Sequence, residues 1–250
     1  MILPILNTKL NTWPPEPIDP GKPFKGMTRR VVTHYGKTPE QYGRDKFYKL
    51  VDELNGKQGL FAGFYKDSDV FMYEGEQHTD AIYFKARYQP GDILYVQETW
   101  KAVFAERFEI LIEYRTDGSR QWVRFIPERF AKFRKFSLKN GWQSPYFMPK
   151  EAARLFLTVK DVPVERLQDI TAADAVTEGA TEILLKPGHP LEEKTFERGT
   201  WDEKDQCRYA GAVDAFATLW DYLSGKKYPW ASNPYVWVIT FERTERPVTP

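Results

Sequence analysis

Residues 22–32 read KPFKGMTRRVV and gather four cations, Lys22, Lys25, Arg29 and Arg30, around one hydroxyl, Thr28. Three chemistries are open to such a stretch: a solvated loop end, a grip on an anion, or a threonine that reacts. It is not a phosphate loop of the familiar kind, because GKPFKGMT carries Met27 where the phosphate-binding lysine would stand. GxGxxG, GxSxG and HExxH are all missing. His34, His78 and His189 lie far apart without ligand spacing, and Cys207 is the single cysteine with no CxxC beside it. No metal, cofactor or disulfide is expected from this set, and a lone thiol points to a reducing compartment.

A second stretch, RFAKFRKFSLKNGW over residues 129–142, interleaves Phe130, Phe133 and Phe136 with Lys132, Arg134, Lys135 and Lys139. Single-stranded nucleic acid is bound by such a mixture, with phosphates meeting cations and bases stacking on rings. The same spacing of three places the rings on one helical face, which would dock a helix and leave the cations in water; this reading takes precedence. Ser144 and Asn233 sit in turns where each would either hydrogen-bond a base or cap the turn. Trp100 and Trp237 would serve as core or as stacking platforms.

Elements that must position these groups follow from turn and period signals. TWPPEPIDPGKP cannot be helical, since prolines fix φ and lack a donor, so a stiff connector follows a short apolar strand at Met1–Leu6. RRVV begins a strand, and YQPGDILYV places a Pro-Gly-Asp turn before the strand formers Ile93 to Val96. Glu98 stands where that run ends. Another strand is expected near 81–85. MPKEAAR reads as one or two helical turns from Pro149, and LFLTVKDVPVERL alternates as strand. Thr171 with Asp174 makes a capping box for a short helix stopped by Gly179, while Val213, Phe216, Leu219, Trp220 and Leu223 mark a helix ending at Gly225. YVWVITFER is the last strand.

With 250 residues of which 42% are hydrophobic, the chain can bury a core. Short strands broken by short helices, without β-α-β alternation, predict one α+β domain over 1–250, a small β-barrel with short flanking helices and insertions near 37–80, 103–140 and 180–210. A net charge of +1 argues against nucleic-acid binding by bulk charge, so a local patch would have to supply it. No apolar run nears the ~20 residues that span a bilayer, and the N-terminal stretch is too short for a signal peptide. A cytoplasmic protein is expected.

K-x-x-T-x-R over Lys25, Thr28 and Arg30, then PGDILYVQETW, WQSPYFMPKEAARLFL, VERLQDITAADAVTEG, LWDYL and NPYVWVITFER, resemble in that order the ASCH domain family, in its bacteriophage and prophage branch. Pro23 and Gly26 depart from that pattern, standing where glycine and threonine or serine are usual. The resemblance implies a PUA-like barrel in a bacterial host cell, with a cleft that binds RNA or a modified nucleoside. One branch of the family looks like metal-independent hydrolases of N4-acylated cytidine or of RNA, and its lysine, threonine and glutamate map onto Lys25, Thr28 and Glu98.

A threonine becomes a nucleophile when a neighbouring base takes its proton, and a lysine whose pKa is lowered by burial or by cations such as Arg29 and Arg30 would serve. Glu98 would then pass a proton to the leaving amine, or orient a base through its Watson–Crick edge. Equally, Glu98 would be a structural partner of Arg30 or Lys101. The leading expectation is a binder of RNA or a modified nucleoside with Arg29, Arg30, Trp100, Ser144 and Asn233 lining the site. The first alternative is the hydrolase. A second is a phage module that binds a host or virion protein through the insertions.

Overall fold

Asn55 and Gly56, between two runs of strand formers, take the left-handed conformation at φ 51° and 72° and close a tight hairpin between strands Lys46–Leu54 and Lys57–Tyr65. Such local signals build a strand-rich mixed α/β chain with few, short helices. The computed structural model describes residues 2–5, 26–66, 68, 70–73, 76–136, 141–178, 181–183, 195–197 and 211–247. Lys22, Lys25, the proline-rich connector, Lys139, Gly179, His189, Cys207 and nearly all of 180–210 lie outside them. Among the described residues no helix is long and apolar enough to cross a membrane, a statement that does not extend to membrane β-barrels.

Two compact units, each discontinuous in sequence, share the chain. The first comprises residues 1–23, 92–158 and 242–250. In it the expected strand Ile93–Val96 pairs in parallel with Ile2–Ile5 and antiparallel with the chain from Phe156 to Thr158. A second, three-stranded antiparallel sheet takes strands Trp100–Glu106, Glu109–Tyr114 and Arg120–Arg124 in sequence order. One face of that sheet carries Trp100, Ala102, Ile110, Ile112, Tyr114 and Val123 into a core completed by Phe125, Phe133, Met148, Ala152, Ala153 and Phe156. The rings of RFAKFRKF follow the docking reading: helix Pro127–Phe133 and the 3-10 turn after it bury Phe133 and pack Phe130 and Phe136 against this core. The expected helical turns after Pro149 shrink to one 3-10 turn, Lys150–Ala152.

The second unit comprises residues 24–91 and 159–241. Strand Met27–Val31 pairs antiparallel with the last strand over Val236–Thr240, and Val164–Arg166 pairs with Tyr235–Trp237. The expected insertion at 37–80 folds largely as strand: Lys57–Tyr65 lies between Lys46–Leu54 and Ile82–Lys85, and Val70–Tyr73 pairs with Glu76–Thr79. Thr171 and Asp174 form the anticipated capping box of helix Ala172–Thr177, and helix Ala212–Ser224 ends at Gly225 as its apolar spacing requires. Phe216 and Trp220 of that helix pack with Leu167, Ile170, Val236 and Val238.

Candidate functional site

The strand Ile93–Val96 delivers Glu98 to a charged cluster inside the first unit. Both Glu98 oxygens accept from Arg154, Nε donating at 3.0 Å and Nη2 at 2.5 Å, and Thr116 Oγ1 donates to the same carboxylate at 2.8 Å. Arg154 Nη1 also donates to Asp117 Oδ2 and Ser119 Oγ, each at 2.8 Å. Its guanidinium lies 3.9 Å from the centre of the Tyr114 ring, a cation–π arrangement. Tyr114 in turn donates to the Ala152 carbonyl at 2.6 Å, which fixes the segment that carries Arg154. An ionised carboxylate has about four acceptor positions, and three of Glu98's are filled by these partners.

Asp117 reaches this cluster because the Thr-Asp-Gly turn reverses the chain between two strands, with Gly118 at φ 67°. Burial pushes the Asp117 carboxyl up, but hydrogen bonds from Arg154 and from the Ser119 side chain and backbone outweigh it and hold the group below its ordinary value. Burial raises the Tyr114 hydroxyl, so it stays protonated far into the alkaline range. Desolvation of Arg154 is overcome by its two carboxylates, which hold it protonated.

The same unit carries an aromatic ring that is open to solvent. Trp142 is 40% exposed, with Lys101 Nζ 4.7 Å and Arg115 Cζ 6.0 Å from its ring centre. Strand contacts hold these groups together: the backbones of Trp100 and Gln143 exchange hydrogen bonds at 3.3 and 2.6 Å, and Arg115 N donates to Thr99 O at 2.9 Å. The ring face and two cations are contact types that bases and phosphates use, and the fixed carboxylate is one that a base amine uses.

The residues singled out from sequence have diverse surroundings. Glu98 pairs with Arg154 and not with Lys101, which bonds Glu113 at 2.7 Å together with Arg120 at 2.6 Å. Those two hydrogen bonds hold the Glu113 carboxyl below its ordinary value. Trp100 is fully buried in the first core and Trp237 is buried on the last strand. Ser144 caps a 3-10 turn by accepting from Tyr146 N at 3.4 Å. In the second unit Thr28 is buried on its strand opposite Ile239, and Arg30 is exposed, with Nη1 donating to the Arg29 carbonyl at 3.3 Å. Arg29 is buried, and its guanidinium meets Glu165 at 3.4 Å, Asp174 at 3.3 Å and Glu178 at 3.4 Å, so its charge is balanced within the fold. Asn233, at φ 43°, ends a 3-10 turn and accepts from Gln168 N at 2.8 Å. Lys25 lies outside the described residues.

Sequence reasoning passed over Arg154, Asp117 and Trp142. The Asp-Gly hairpin signal was available for Asp117, whereas nothing local marks Arg154 as the partner of a carboxylate 56 residues away. Among the described residues no group of three or more His, Cys, Asp or Glu is placed to hold a metal ion. Comparison with family models, with curated proteins and with solved structures finds no match to this chain.

Proposed function

We propose that the chain recognises a nucleobase, in RNA or in a modified nucleoside, at the Glu98 end of strand Ile93–Val96. The observation that carries this reading is a carboxylate immobilised by Arg154 and Thr116 in the same unit as an open Trp142 ring near Lys101 and Arg115. The ring would stack on a base, Glu98 would accept from an exocyclic amine such as that of cytosine, and the cations would meet phosphate. The resemblance to ASCH proteins supports the same reading and adds to it a PUA-like barrel.

Arg154 would act through Glu98 by holding its carboxylate in one orientation. A base bound there would gain a hydrogen bond without the entropy of ordering a mobile carboxylate. Calorimetric titration of cytidine and N4-acetylcytidine into the full chain tests the reading. Glu98→Gln and Trp142→Ala are each expected to weaken binding about tenfold. Absence of binding by the parent protein, or binding indifferent to both substitutions, would refute it. Cytidine released from N4-acetylcytidine, and lost in Thr28→Ala, would turn the binder into the hydrolase that the family resemblance allows.

A further inference from the structure

The two edges of the three-stranded sheet in the first unit are finished differently. Strand Trp100–Glu106, at one edge, has a register shift opposite Leu111 and Ile112, and its Trp100 backbone bonds Gln143. Strand Arg120–Arg124, at the other edge, holds no proline and pairs without a bulge from Glu109–Arg124 to Glu113–Arg120. Tyr114 N donates to Ser119 O at 3.0 Å and Phe125 N to Phe108 O at 2.8 Å. Antiparallel alternation between those two bonds turns the backbones of Gln121 and Val123 inward, so Arg120, Trp122 and Arg124 direct their N–H and C=O groups out of the sheet. Among the described residues no backbone group or side chain bonds these outward groups.

An edge that is regular and open is a template for another strand. Arg120, Gln121, Trp122 and Arg124 are exposed on it, and only Val123 is buried. A row of outward N–H and C=O groups fits an extended main chain, whose residues would stand directly opposite Arg120, Trp122 and Arg124. Side chains directly opposite approach to about 5 Å, so those three are the ones that an added strand would meet. The acids of this sheet face lie farther in, Glu113 and Glu109 on the middle strand and Glu106 on the far one. Residues 119–125 contain no acid, and Glu113 is already shared by Lys101 at 2.7 Å and Arg120 at 2.6 Å. A second copy of this chain is a poor occupant. The two-fold register that joins all three outward residues sets Arg120 opposite Arg124 twice, and like charges directly opposite repel.

We infer that strand Arg120–Arg124 is a docking edge for an extended segment of a partner protein, which adds to the three-stranded sheet as one further strand. The segment that fits has an acid at each end of a five-residue stretch and an apolar residue at its centre. Its carboxylates would stand opposite Arg120 and Arg124, and its apolar side chain on the exposed Trp122 ring. Main-chain bonds would supply affinity, and the three side chains the choice of partner. This edge and the nucleobase reading are independent, and neither requires the other.

The test titrates an end-capped peptide, Thr-Glu-Thr-Val-Thr-Glu-Thr, into the isotope-labelled full chain, followed by nuclear magnetic resonance and amide hydrogen exchange. Binding is expected to slow exchange at the amides of Arg120, Trp122 and Arg124. A peptide N-methylated at both glutamates and the valine loses the donors that would face the edge, and should bind at least about tenfold more weakly. One N-methylated at the two inner threonines, whose donors face away, should bind within about threefold of the unmodified peptide. Replacing Arg120 and Arg124 together by alanine, both at exposed positions, should weaken binding about three- to tenfold. No binding at about 1 mM peptide overturns the inference. So does an affinity indifferent to N-methylation at the glutamates and valine, because side chains alone would then hold the peptide. A dimer seen by light scattering, with the Arg120, Trp122 and Arg124 amides protected before any peptide is added, overturns it as well, since the edge would then belong to a second copy.

Discussion

Replacing Arg154 by methionine removes the cation from a cluster that holds two carboxylates. Arg154, Glu98 and Asp117 side chains are 26%, 15% and 17% exposed, so the pair lies between the solvent-exposed and the fully buried limits. Breaking a buried pair by removing one partner costs about 3–5 kcal/mol, and an exposed pair contributes about 0–1 kcal/mol. Mostly buried geometry places this loss near 3 kcal/mol, including a modest cation–π share from Tyr114. For a chain of this length each kcal/mol moves Tm by about 2–4 °C, so a drop of roughly 6–12 °C is expected. Circular dichroism melts and urea midpoints at constant slope measure it. The physical claim is that stranded carboxylates, more than lost contacts, cause the drop. Combining Arg154→Met with Glu98→Gln and Asp117→Asn should therefore restore at least half of it. An Arg154→Met variant within about 2 °C of the parent, or a triple variant no more stable than the single one, would refute the reasoning.

Arg29 offers the same experiment in the second unit. Its side chain is 1% exposed and faces Glu165, Asp174 and Glu178, so Arg29→Met is expected to cost about 3–5 kcal/mol in urea unfolding, with partial rescue by Glu178→Gln. Acid should weaken the first unit, because Asp117 and Glu113 are both held below their ordinary values by hydrogen bonds from cations and hydroxyl. Such groups bind protons more tightly unfolded than folded, so their contribution is complete above about pH 4 and lost as pH falls through the folded values. Melts between pH 6 and pH 2, compared with Asp117→Asn, should show a shallower acid loss in the variant. Gly56 takes φ 72°, so Gly56→Val should destabilise by about 1–2 kcal/mol in urea unfolding; an unchanged midpoint would show that the hairpin adapts freely.

Where the physics was local, sequence reading succeeded. The Thr171–Asp174 capping box, the apolar stripe ending at Gly225, the run after Pro-Gly-Asp and the strand at YVWVITFER became the elements expected of them. Each is encoded within a few residues, by a cap, a period or a turn. The polar segment 37–80 read as an insertion of unstated form, yet it supplies paired strands, because KFYKLVDEL carries no clean apolar alternation to signal a strand and its pairing is decided by its neighbours in the sheet. Spacing of Phe130, Phe133 and Phe136 fitted both a ligand surface and a docked helix; only packing against Trp100 and Phe125 decided for the core.

By itself the sequence determined the capped helix after Thr171, the helix that stops at Gly225, the strands after Pro-Gly-Asp and at YVWVITFER, and that Glu98 would stand at the end of a strand. Tertiary structure alone chose Arg154 as its partner, enclosed Arg29 among three carboxylates, and lined Phe104 up with Leu111 and Trp122. Caps and turns draw their energy from neighbours along the chain. Ion pairs and cross-strand rows form only after distant segments have closed their loops and set their register, and a one-residue slip in that register would turn Trp122 from solvent to core.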